Sequence, residues 1–115
     1  MKATNIKEFF FLLRKGIQLK IAVEVAKTKQ KAFNKRFWVL PDENHKLRAI
    51  CNTEIKWLKK HGFMNKKVTH LDLEKECFYY TPLSLNNDGT ISKEEREKKK
   101  QEWIKYSKKI SKIRQ

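Results

Sequence analysis

Apolar residues recur at helical spacing over two stretches of the N-terminal third. Phe9, Phe10, Leu12 and Leu13 follow Thr4 and Asn5, either of which caps a helix. Glu8 falls in the first turn, where the macrodipole favours a carboxylate. Arg14 and Lys15, then Gly16, read as a stop signal. From Ile17 to Phe33, Leu19, Ala22, Val23, Ala26 and Phe33 share one face. Lys20, Glu24, Lys27 and Lys31 share another, a mainly basic outer stripe. The pattern predicts two helices. One continuous helix is the alternative, with Gly16 in its interior at about 1 kcal/mol relative to alanine.

Beyond residue 35 the pattern changes. Arg36 to Leu40 and Leu47 to Cys51 are rich in aromatic and β-branched residues, and a Pro-Asp-Asn turn separates them. They predict a hairpin, which needs a third strand or a helix to be stable. Asn52 or Thr53 then caps a short helix from Glu54 to His61, with Ile55 and Leu58 inward and Trp57 beside them. Lys59, Lys60 and His61, then Gly62 and Phe63, are a specific helix-end signal. Thr69 with Asp72 opens a second short helix through Cys77. Phe78 to Thr81 supplies the third strand, ended by Pro82.

Residues 82–91 form a linker with a turn at Asn87-Asp88-Gly89. Ser92 and Glu95 match a capping box before a last helix. Its first half, Lys93 to Glu102, has no apolar residue, and Glu94–Lys98 and Glu95–Lys99 are spaced as ion pairs. Its second half carries Trp103, Tyr106, Ile110 and Ile113, a narrow seam suited to a partner surface or to the N-terminal helices. The fold class is therefore α+β: two N-terminal helices, a small antiparallel sheet with a short helix, and a long basic C-terminal helix. Residues 1–85 are expected to form the domain, and 86–115 the linker and projecting helix.

Charge sharpens this picture. The 115 residues carry 28 Lys+Arg against 13 Asp+Glu, a formal net charge of +15. Residues 1–36 hold ten cations and two acids, residues 37–92 eight and seven, and residues 93–115 ten and four. A nearly neutral middle lies between two basic ends. Such a surface repels itself and suits an anionic partner; a merely solvated, codon-biased lysine face is the competing reading. Only five of the cations are Arg, so sequence-blind phosphate contact is favoured over bidentate base reading. Lys20, Lys27 and Lys31, with Lys98, Lys105, Lys109 and Lys112, are the residues expected to touch nucleic acid or an acidic partner.

No catalytic or metal signature stands out. Cys51 and Cys77, with His45, His61 and His70, are the soft ligands, and no paired zinc spacing joins them. The two cysteines give no disulfide framework, so a reducing compartment is expected. The three glycines form no phosphate loop. No metal, cofactor or small-molecule substrate is expected. A small basic ribonuclease is a distant third reading, resting on His, Lys and Arg alone. Lys35-Arg36-Phe37-Trp38 and Trp57-Leu58-Lys59-Lys60 interleave cations with aromatics, yet Phe37, Trp38, Trp57, Phe63, Phe78 and Tyr80 are first expected in the core. No apolar run approaches a membrane span, and Lys7-Glu8 and Arg14-Lys15 do not fit a secretory leader.

Lys35-Arg36-Phe37-Trp38-Val39-Leu40-Pro41 and Glu76-Cys77-Phe78-Tyr79-Tyr80-Thr81-Pro82 resemble segments of small proteins of tailed bacteriophages, the crAss-like group among them. The resemblance implies a virion accessory on a capsid or portal, or a DNA-associated phage protein, in the virion or the cytoplasm. With the charge, it leads to an expected non-enzymatic structural accessory of a nucleoprotein assembly. Its partners would be protein subunits and DNA, and no membrane. A free, sequence-nonspecific nucleic-acid-binding protein is the alternative.

Overall fold

The computed structural model of the protein describes residues 6–81 and 91–113. The expected caps Thr4 and Asn5, the turn at 87–89 and the side chain of Ile113 lie outside the described residues. The elements are α1 (Ile6–Phe33), β1 (Phe37–Pro41), β2 (Leu47–Cys51), α2 (Asn52–Lys60), α3 (His70–Glu76), β3 (Tyr79–Tyr80) and α4 (Lys93–Ile113). The class is α+β, with an antiparallel sheet in the order β2-β1-β3.

The expected break at Gly16 is corrected, because α1 is one helix of 28 residues. α4 runs alongside the break point. Trp103 Nε1 donates to the Lys15 carbonyl at 2.9 Å, and a Cβ on Gly16 would meet Lys100 at 4.0 Å. Packing on both sides of the glycine outweighs its propensity cost of about 1 kcal/mol.

The hairpin forms with Phe37 opposite Cys51 and Pro41 opposite Leu47. β3 pairs Tyr80 with Trp38 and Tyr79 with Val39, making β1 the central strand. Phe78 N donates to Val39 O, and Thr81 N to Phe37 O. Thr81 is fully buried, and its hydroxyl accepts from Phe37 N at 2.9 Å. The strand period of two then separates the side chains. Phe37 and Val39 enter one cluster with Leu19, Ala22, Val23, Ala26, Phe78, Tyr79 and Trp103. Trp38 enters a second with Ile50, Ile55, Leu73 and Cys77. The sheet is thus covered on both faces, by α1 and α4 on one and by α2 and α3 on the other. Double covering explains why β1 reads as a continuous apolar run rather than an alternation.

Two local end signals are satisfied as expected, while the expected cap at Asn52 or Thr53 is corrected: Cys51 is the N-cap of α2, both residues lie inside the helix, and Glu54 reaches back to the Cys51 amide. Thr69 Oγ1 accepts from Asp72 N, and Asp72 returns the bond to Thr69 N, closing a capping box before α3. Gly62 takes φ 79°, with Phe63 N bonded to Leu58 O and Gly62 N to Lys59 O. That is a Schellman end, requiring the left-handed residue that glycine supplies. In the β1–β2 turn, Asp42 accepts from the backbone of Asn44 and Lys46 and from Arg48 Nε. The Lys46 amide, foremost, holds the Asp42 carboxyl below its ordinary range, against the opposing pull of desolvation. His45 takes φ 61° in this turn, a place where glycine is commoner.

Several further expectations are corrected. Phe33 is exposed at the last turn of α1, where its ring meets only the Phe37 ring, at 6.4 Å, among the aromatic rings of the described residues. Trp57 and Phe63, expected in the core, face water, since α2 covers the sheet with Ile55 and Leu58 and turns its other side out. α4 does not project: Trp103 is 1% exposed, in the same cluster as α1 and the sheet. The Glu95–Lys99 pair is replaced by inward contacts. Lys99 is 4% exposed, and its ammonium donates to the carbonyls of Glu74 and Cys77, the latter at 2.8 Å. It thereby serves the C-terminal carbonyls of α3. Glu95 instead accepts from the Tyr80 hydroxyl at 2.9 Å. Burial first, then the Glu95 carboxylate, pushes that hydroxyl up to about 12, so it stays a donor.

Cys51 and Cys77 are free thiols. Burial pushes the Cys77 thiol up to about 11, with the Lys99 charge pulling the other way. A thiol raised about two units forms about a hundredfold less thiolate at a given pH. In mildly alkaline buffer, a thiol reagent should modify Cys77 at least about a hundredfold more slowly in the folded protein than in denaturant. Equal rates, followed by mass spectrometry of the labelled peptides, would contradict the buried placement.

Candidate nucleic-acid interface

Helical geometry sorts the charge of α4 into an inner and an outer face. Lys99, Trp103 and Ser107, four apart, turn inward, and all three are buried. Lys98, Lys105, Lys109 and Lys112, spaced seven, four and three, lie on the far side, and all four are exposed. They form one outward row of cations with no apolar residue among them. On α1, Lys20 and Lys31 are exposed, while Lys27 is partly buried with its ammonium 3.8 Å from Glu24. The lysines on the two helices are not brought into a single row. Lys20 instead shares a groove between α1 and α4 with Lys93, Arg96 and Lys100, beside Glu97.

The seam residues divide. Trp103 is internal, with the Phe78 ring at 5.2 Å and the Tyr106 ring at 5.7 Å. Tyr106 and Ile110 are half-buried and line a cleft of about 660 Å³ between α1, the β1–β2 turn and α4. Arg14, Lys15, His45 and Lys46 also line it, and no carboxylate among the described residues does. His45 Nδ1 lies 2.6 Å from the Tyr106 hydroxyl, tying the turn to α4. Burial foremost, with Asp42 adding to it, pushes the Tyr106 hydroxyl upward, so it too remains protonated at neutral pH. Ser107 lines the same cleft, and its buried hydroxyl finds no hydrogen-bond partner among the described residues. Four cationic or basic groups around hydroxyl donors are chemically suited to an oxyanion.

The other soft ligands are engaged separately. His61 Nδ1 meets the Trp57 carbonyl at 2.9 Å, and His70 Nε2 meets Asn52 Oδ1 at 3.2 Å. Among the described residues, no group of three or more His, Cys, Asp or Glu could hold a metal ion. No described helix is long and apolar enough to cross a membrane.

Sequence reasoning missed two features. Lys99 and Ser107 stand four residues on either side of Trp103, and that register carried the signal for their inward placement. The second is a row of exposed apolar side chains on α1: Ile6, Phe10, Leu13, Ile17, Ile21 and Val25, between 41% and 74% exposed. At 100° per residue this row lies opposite Leu19, Ala22, Val23 and Ala26. α1 is therefore apolar on two opposed sides; the described residues bury one, while the other stays largely exposed, with Leu13, Ile17 and Ile21 at the rims of grooves toward α4.

The fold and this surface define a class: a small, strongly cationic α+β protein with an oxyanion-suited cleft, an outward lysine row and an apolar helix face left largely exposed among the described residues. Comparison with protein-family models, curated proteins and solved structures yields no match to this chain.

Proposed function

We propose that the protein is a non-enzymatic structural accessory of a nucleoprotein assembly, such as a phage capsid or portal. In this reading α1 seats on a protein subunit, and the lysine row of α4 contacts nucleic acid or an acidic subunit surface. The observation that carries the reading is the two-sided α1. A helix apolar on both sides belongs between two bodies, and the described residues provide one of them. Lys7, Arg14, Lys20 and Lys31 accompany the outer row, with Glu24 the acid among its positions. A second copy would therefore meet cation with cation, whereas an acidic subunit would be complementary. The likeness of residues 35–41 and 76–82 to phage proteins points the same way. The alternative, a free nonspecific nucleic-acid-binding protein, uses the lysine row but leaves the outer face of α1 without a role.

One experiment separates these readings. Duplex DNA affinity is measured against salt for the wild type and for a Lys98, Lys105, Lys109 and Lys112 to Gln variant. If all four touch phosphates, the log–log slope should fall in magnitude by about 3.6, equally for unrelated sequences. An unchanged slope would remove the row from the interface. An Ile17→Glu, Ile21→Glu variant should keep that DNA affinity yet no longer co-sediment with the large particle from the native source. Co-sedimentation equal to wild type, or a protein found only as a free monomer, would overturn the accessory reading.

A further inference from the structure

Three tryptophans divide sharply by exposure. Trp38 and Trp103 are each 1% exposed, and Trp57 is 53% exposed. The Trp57 indole is not alone on the surface. The His61 ring stacks on it at 4.1 Å with planes 24° apart, and the Phe63 ring lies 5.9 Å away with planes only 8° apart. Phe63 is itself 70% exposed. These near-parallel rings form a ledge at the end of α2, outside both buried clusters.

The ledge is held by main-chain bonds rather than by burial. The Schellman end at Gly62 fixes where Phe63 leaves the helix, and His61 Nδ1 meets the Trp57 carbonyl. Lys59 Nζ donates to Val68 O at 2.6 Å, and Asn65 accepts from Lys67 N and Val68 N. The following loop is thereby folded back onto α2. Lys56 and Lys60 on α2, and Lys66 and Lys67 on this loop, are exposed. Glu54 is the acid of α2, and its carboxylate is turned to the Cys51 amide. Planar apolar faces among cations match a partner that is planar, apolar and anionic together.

We propose that the Trp57–Phe63 ledge is a stacking platform for bases of single-stranded nucleic acid, with Lys56, Lys60, Lys66 and Lys67 along its phosphates. The proposal rests on the nucleic-acid reading above and narrows its substrate. A base offers its face to a ring only when it is out of the duplex, so the ledge selects single strands where the α4 row accepts duplex. An apolar protein surface would stack on the rings but would gain nothing from four lysines.

The exposure pattern supplies the probe. Trp57 is the water-facing indole of the three, so fluorescence quenching by an added strand reports the ledge. The strand is an oligothymidylate of about twelve nucleotides, within the usual footprint of such sites. Quenching is expected, with Trp57→Leu and Phe63→Leu each weakening affinity about tenfold. Trp57→Phe should restore most of the affinity, because a phenyl ring still stacks. The leucine variants should retain the wild-type thermal transition and duplex affinity. An oligothymidylate that binds without quenching, and equally well to Trp57→Leu, would overturn the platform. So would self-association in sedimentation equilibrium that the leucine variants abolish, which would assign the ledge to a protein contact. Quenching without any duplex retardation would sink the α4 contact and leave the ledge standing. Duplex retardation without quenching would sink the ledge alone.

Discussion

Trp103→Ala should destabilise the protein by about 3–5 kcal/mol in chemical denaturation, the range for deleting a large buried ring. The side chain is 1% exposed and lies against Phe78 and Tyr106, with its indole N–H on the Lys15 carbonyl. Alanine removes the ring contacts and a hydrogen bond that ties α4 to the middle of α1. The Lys15 carbonyl lies within a helix and keeps its helical partner, so most of the loss is transfer and cavity energy. A small domain is stable by about 5–15 kcal/mol, so this single change takes a large fraction of the total. Trp57→Ala is the control, and at a half-exposed surface position it should lose less than about 1 kcal/mol. A Trp103→Ala protein as stable as that control would mean that α4 is an arm rather than part of the core.

Lys99→Met should cost about 2–4 kcal/mol, whereas Lys98→Met one residue away should stay within about 0.5 kcal/mol. Two effects oppose each other at Lys99. Removing an ammonium from the interior relieves its desolvation, which by itself stabilises. Methionine fills the same space but donates nothing, so the carbonyls of Glu74 and Cys77 lose their shared donor. Leaving a buried carbonyl unsatisfied costs about 1–3 kcal/mol. The Cys77 carbonyl loses its donor and the Glu74 carbonyl keeps only the weak Cys77 thiol at 3.6 Å, and together these losses outweigh the recovered desolvation. The check is paired urea melts of the two variants, read as midpoint at constant slope. A Lys99→Met protein at wild-type stability would show that desolvation dominates and that the α3 terminus does not depend on α4.

The lysine row of α4 was legible in the sequence because its spacing alone puts Lys98, Lys105, Lys109 and Lys112 on one side of any helix there. The seam was legible as a row, but its destination was not. Trp103 proved internal while Tyr106 and Ile110 line a cleft, because depth along a seam depends on how far the facing element reaches. The cleft itself draws Arg14, Lys46 and Ser107 from three separate segments. No local pattern relates residues that far apart in the chain.

By itself the sequence determined the features whose hydrogen bonds close within about five residues. The capping box of Thr69 and Asp72, the Schellman end at Gly62, the Asp42–Lys46 turn that starts the hairpin and the helical register of α4 are all of this kind. Each is satisfied by neighbours that the sequence places within reach wherever the segment lies. Only the tertiary structure decided the continuity of α1 through Gly16, the burial of Lys99 and the exposure of Trp57 and of the outer face of α1. A periodic pattern identifies an apolar face but not whether another element covers it. On α1 two such faces were available, and the sheet and α4 cover only one.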